Sequence, residues 1–147
     1  MKITRTILLI LLAFLGLGAI GGGGVFIISP SGALFGMPLS MLAHSPFTNF
    51  LIPGIILFIV LGLVPCGLVV ALLRKSKSEL AERFNFYPDM HWAWTGSIYV
   101  GFALIIWIQV EMVFLQAVNW LHTVYMFLAI AILFVALLPT VRSLYKK

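Results

Sequence analysis

The side chains able to do chemistry are concentrated in one stretch, Ile106 to Met126, reading IWIQVEMVFLQAVNWLHTVYM. It carries Gln109, Glu111, Gln116, Asn119, His122 and Thr123 among apolar neighbours. A carboxyl and an imidazole in one apolar hairpin suit three roles: proton exchange, cation or ligand binding, or a structural clamp. If the chain turns near Ala117, Glu111 lies at the depth of His122 or Thr123. By helical spacing Glu111 shares a face with Ser97, Val100, Leu104 and Trp107. Asn119, His122, Thr123 and Met126 share a face of the following helix. The expectation is a Glu111–His122 pair, with Gln109 or Gln116 and Asn119 nearby.

Other chemistry is thinly supported. A metal site needs three or more ligands. His44, Glu111 and His122 could supply them only if the loop bearing His44 folds over the hairpin. A haem between His44 and His122 has no further support, and no cofactor is expected. His44 reads first as an interfacial side chain. No hydrolase, kinase or transferase motif is present, so an enzyme would have to use Glu111 and His122 as its acid–base pair. Gly16 to Gly21 spells GLGAIG, a literal G-x-G-x-x-G. No strand precedes it and the first acid in the chain is Glu79, so it is not a dinucleotide fingerprint. Cys66 stands alone, which excludes an internal disulfide and paired-thiol redox chemistry.

The elements that position these residues follow from composition. Of 147 residues, 63% are hydrophobic and 9% charged. Soluble domains are about 25% charged, so this surface must face lipid. The net charge of +5 does not indicate nucleic acid. Its cations flank the apolar runs at Lys2 and Arg5, Arg74 to Arg83, and Arg142 to Lys147, an orientation signal that also suits anionic lipid.

Four apolar helices are expected, at about residues 5–28, 46–73, 92–117 and 119–141, in a single domain. The first is read as a retained helix. A signal peptide is the rival, but apolarity continues past Gly24 and no A-x-A site occurs. Gly18 and Gly22 give small-xxx-small spacing for close helix packing, as do Ser97 and Gly101. The Gly21–Gly24 run predicts a kink or an unwound turn. Residues 29–45 carry no Lys, Arg, Asp or Glu but many apolar side chains, so they should lie in the outer interface, with a short helix after Met37-Pro38. Ser45-Pro46 reads as an N-cap and first helical position. Residues 74–91 hold four of the nine basic residues and three of the four acids, and read as a solvated cytoplasmic loop. Trp92 and Trp94 suit an inner aromatic belt, and Trp120 an outer one. Gln109 and Gln116 fall roughly opposite Glu111. Two polar faces on one helix suggest that protein surrounds it.

The stretch Ser45 to Gly62, SPFTNFLIPGIILFIVLG, and the helix carrying Trp107, Gln109 and Glu111 resemble small four-helix inner-membrane proteins of bacteria. There is also a fainter similarity to the DoxX-like group. The resemblance implies a bacterial inner-membrane setting and no active site, since no established motif is there to match.

The sequence therefore points to an all-α, integral membrane, antiparallel bundle of four transmembrane helices. Both termini should be cytoplasmic, since only the termini and the middle loop are basic. The leading functional expectation is an accessory or structural subunit, self-associating or docked on a larger membrane complex. The alternative is a unit that binds or transports a lipid, quinone or ion at an outer-leaflet site around Glu111 and His122. The expected partners are the bilayer and other membrane subunits.

Overall fold

A computed structural model describes residues 2–147. Helix α1 runs Lys2–Ile28. Two 3-10 turns follow, Ala33–Phe35 and Leu39–Leu42. Helices α2 (Leu51–Phe58) and α3 (Val64–Arg74) form one continuous span through a π turn at Ile59–Leu63. A short α4 (Glu79–Arg83) precedes α5 (Trp92–Leu115), α6 (Trp120–Leu137) and α7 (Pro139–Tyr145). No strand occurs among the described residues. Four helices are long and apolar enough to cross a membrane: Ile3–Ile28, Leu51–Arg74, Trp92–Leu115 and Trp120–Leu137.

In lipid, helix association relies on close packing more than on apolar burial. Helix α1 lies along α2, the π turn and α3, and also touches α6, while α5 pairs with α6 and α3. The glycine run stays helical and is not unwound. Its seam explains why. A Cβ on Gly23 would sit 2.7 Å from both Gly54 O and Phe58 N, and one on Gly16 would sit 2.5 Å from Cys66 Sγ. Gly54 and Gly62 meet α1 as closely from the other side, at 2.7 Å from Phe26 Cβ and 2.9 Å from Ile20 Cγ1. Backbone contact of this kind offsets the intrinsic helical cost of glycine. The closest backbone approach therefore falls at Gly16 and Gly23. A Cβ on Gly18 would lie 2.9 Å from the Tyr125 hydroxyl, and one on Gly22 would make ordinary contact with Leu57 at 3.6 Å. A Cβ on Gly101 would sit 2.6 Å from Leu133. Ser97 is fully buried and donates back to Ala93 O at 3.0 Å. The irregularity lies in the second span instead. Pro65 cannot donate to Leu61, and Val64 N–H reaches Ile59 O to close a wider turn.

Element boundaries depart from the sequence reading where local hydrogen bonds win. The second span starts at Leu51, not Pro46. Ser45 Oγ closes a turn, donating to Leu42 O at 2.9 Å and accepting Phe47 N–H at 3.2 Å. Asn49 Oδ1 accepts Leu51 N–H at 2.9 Å. The short helix expected after Met37-Pro38 is there, as a 3-10 turn over Leu39–Leu42. It packs on α5 with Leu42 buried, and Phe47 meets Phe114 edge-on with ring centres 6.3 Å apart. Helix α5 stops at Leu115, two residues early, because Gln116 turns left-handed at φ 53°. Helix α6 stops at Leu137 and not Val141, because Leu138 is extended (ψ 138°) and Pro139 begins α7.

Trp94 does not lie in an aromatic belt. It is 3% exposed, and its indole N–H donates to Ala136 O at 2.8 Å, a carbonyl left without a helical partner by the break before Pro139.

The stretch 74–91 is folded, not a free solvated loop. Ser78 caps α4 by accepting Ala81 N–H at 3.2 Å. Asn85 donates to Met90 O at 2.9 Å and accepts from the buried Thr95 hydroxyl at 2.6 Å. Helix α7 then closes this end. Tyr145 is 1% exposed, and its hydroxyl donates to Leu72 O at 2.9 Å, near the end of α3. Burial pushes its phenol pKa up, against the pull of Arg5. Thr140 pairs with Thr4 at 3.0 Å, and Lys147 Nζ with Glu82 Oε2 at 2.7 Å. That ammonium holds the Glu82 carboxyl below its ordinary range. Both ends of the chain and the 74–91 stretch thus share one end of the bundle, here called the charged end.

Candidate functional site

At the opposite end, α6 begins with an N-terminal capping box. Asn119 Oδ1 accepts from Leu121 N–H at 2.9 Å and His122 N–H at 3.4 Å. His122 Nδ1 reaches back to accept Asn119 N–H at 3.2 Å. The place usually held by Glu or Gln is held here by histidine. This fixes the tautomer. Since Nδ1 accepts this hydrogen bond through its lone pair, the ring proton sits on Nε2 and the imidazole is neutral in this arrangement. Its Nε2 lies 3.3 Å from Glu111 Oε2, to which it donates.

The two partners differ in access. The His122 side chain is 5% exposed and that of Glu111 is 32% exposed. Helix α5 delivers the carboxyl because Glu111 follows the buried positions Val100, Leu104 and Ile108 around one side of the helix. An open groove of about 260 Å³ starts at His122 and runs between α5 and α6. Ile108, Met112, Thr123, Met126 and Phe127 line it. Glu111 is not itself in the groove wall; it adjoins the groove through His122, which lines it and donates to the carboxyl.

The structure brings together Glu111, His122 and Asn119. It keeps the other candidates apart. Gln116 donates to Val113 O at 2.7 Å and closes the end of α5. Gln109 is exposed on another side of α5, and its side chain has no hydrogen-bond partner among the described residues. His44 is exposed, and although its loop reaches α5, no group of three His, Cys, Asp or Glu suited to a metal occurs among the described residues. The sequence reading missed the capping role of His122 and the groove wall. The first had a signal, Asn119 three residues before His122 at a helix start. The second had a partial one, Met126 on the His122 face. In comparisons with known proteins, no family model, curated protein or solved structure matches the chain.

Proposed function

We propose that this protein binds an amphiphile at the end of the bundle away from its charged end. The head would donate a hydrogen bond to Glu111, and the chain would lie in the groove between α5 and α6. The observation that supports this is the continuity of a half-exposed carboxyl with an apolar groove through one shared residue, His122. His122 is buried and neutral, so it positions Glu111 and leaves the second carboxyl oxygen for a ligand. Ligand sites of this composition, mostly apolar with few polar groups, fix orientation through those groups.

In this reading the four spans run antiparallel, with the charged end in the cytoplasm, as the distribution of Lys and Arg favours. The site then opens to the outer leaflet. The resemblance noted above favours a bacterial inner membrane. Thermal unfolding of the detergent-solubilised protein with long-chain ligands tests the reading. A long-chain primary amine should stabilise it, and a quaternary ammonium of equal chain length, which has no donor, should not. Equal stabilisation by both would defeat the proposal.

A second reading, an accessory subunit, draws on one observation. The Gln109 amide faces outward from a membrane span without a partner, and hydrocarbon cannot supply one. The glycine seam lends it no support, because α2 and α3 already occupy that face of α1.

A further inference from the structure

We infer a second binding site, for the phosphate of an anionic lipid, at the charged end. The site is a groove of about 200 Å³ lined by Asp89, Met90, Pro139, Arg142, Ser143 and Lys146. Three observations converge on it.

The first is how the cations are sorted. Lys147 is paired with Glu82. Lys75 donates to Leu144 O at 2.8 Å and lies 5.5 Å from the centre of the Tyr145 ring. Arg142 and Lys146 make no ion pair and both line the groove. Asp89 on the rim pairs with neither, so two positive charges outweigh one negative.

The second is that α7 is a fixed platform. Val141 and Tyr145 face inward and are buried, Arg142 is exposed on the helix, and Lys146 is the exposed, extended residue that follows it. Thr140 is tied to Thr4, and Tyr145 Oη to Leu72 O. His91 N–H donates to Tyr145 O, and Lys147 N–H to Asp89 O, both at 2.8 Å. A held pair of cations loses less freedom on binding than two on a free tail.

The third is position. Helix α7 starts two residues after Leu137, the end of a membrane span. The exposed apolar stripe Phe127, Ile130, Phe134 and Leu137 of α6 ends there. The cations therefore sit at headgroup level, beside a surface for acyl chains. Arginine adds a planar fork that matches two phosphate oxygens.

Each cation near an anionic surface contributes enough that removing two weakens binding roughly 25-fold. The test is native mass spectrometry of the whole protein in neutral detergent with phosphatidylglycerol, phosphatidylcholine or inorganic phosphate. Phosphatidylglycerol should bind the wild type more tightly than phosphatidylcholine, and inorganic phosphate should neither bind stably nor compete. The Arg142→Gln/Lys146→Gln variant should lose roughly 25-fold in affinity. Lys77→Gln/Arg83→Gln, which removes the same charge at exposed positions elsewhere on this end, should keep it. Arg142→Lys, a substitution that preserves charge and fold, should bind between the wild type and the double variant. Equal losses in the two double variants would overturn the site. So would equal binding of the two lipids, and competition by inorganic phosphate would overturn the lipid as its source.

Discussion

Two histidines stand at helix N-termini at opposite ends of the bundle, and they use the same chemistry differently. His91 is the N-cap of α5, where its Nδ1 accepts Ala93 N–H at 3.1 Å and its Nε2 lies 2.8 Å from Ser76 O. His122 is the third residue of α6, where its Nδ1 accepts Asn119 N–H and its Nε2 faces Glu111. Both rings are neutral and donate through Nε2. His91 donates to a backbone carbonyl, which Trp92 also satisfies at 2.8 Å, so that contact is saturated. His122 donates to a carboxyl that is half open to its surroundings. At the charged end Asn85, Trp94 and Tyr145, like His91, each donate to a backbone carbonyl. Glu111 differs in being a partly exposed carboxyl with one oxygen taken by His122.

Three substitutions and two titrations test this contrast. The largest effect is expected from Gly23→Leu, which forces apart the backbones of α1 and α2 and should destabilise the whole bundle by about 3 kcal/mol. Thermal unfolding would then show both ends melting together. Trp94→Phe leaves the Ala136 carbonyl without its indole donor and should lower stability by about 2 kcal/mol. Amphiphile binding should survive it, since the loss is confined to the charged end. Glu111→Gln should change stability by less than about 1 kcal/mol, because an amide oxygen can still accept from His122. It should nevertheless reduce binding of a cationic amphiphile at least tenfold. A variant that binds normally would place Glu111 among the caps.

The titrations come next. Burial raises the Tyr145 phenol pKa, so its contribution is complete below the ordinary phenol value, about 10, and is lost as pH rises through the folded value. Stability should fall above about pH 10, and Tyr145→Phe should remove that alkaline limb. The smallest effect belongs to Glu82, paired with Lys147 at the surface. Its carboxyl is depressed, so its contribution is present above the unfolded value and lost as pH falls through the folded one. A weak, salt-sensitive acid limb that vanishes in Lys147→Ala is expected in acid unfolding curves.

Much of the architecture was legible because apolar runs of about 20 residues admit one reading in a charge-poor chain. Boundaries were less so. Ser45-Pro46 has the form of a helix start, but its hydroxyl is spent on Leu42 and Phe47, and the helix waits for Asn49. Gly21 to Gly24 suggested weakness because propensity is local, while the partner that fills the seam, Gly54 to Cys66, lies far along the chain. Trp94 could not be told from a belt residue until the break at Leu138 exposed a carbonyl for it. Of the candidate site, the facing of Glu111 and His122 followed from hairpin arithmetic. The groove did not, because it depends on how Met112 and Met126 leave space between α5 and α6.

The most direct test of the Glu111 site is native mass spectrometry of the protein extracted gently from its own membrane, wild type beside Glu111→Gln. A stoichiometric small molecule on the wild type that is absent from an equally stable variant is the expected result. Its retention by the variant, or its absence from both, would mean that Glu111 and His122 are a clamp between two helices and nothing more.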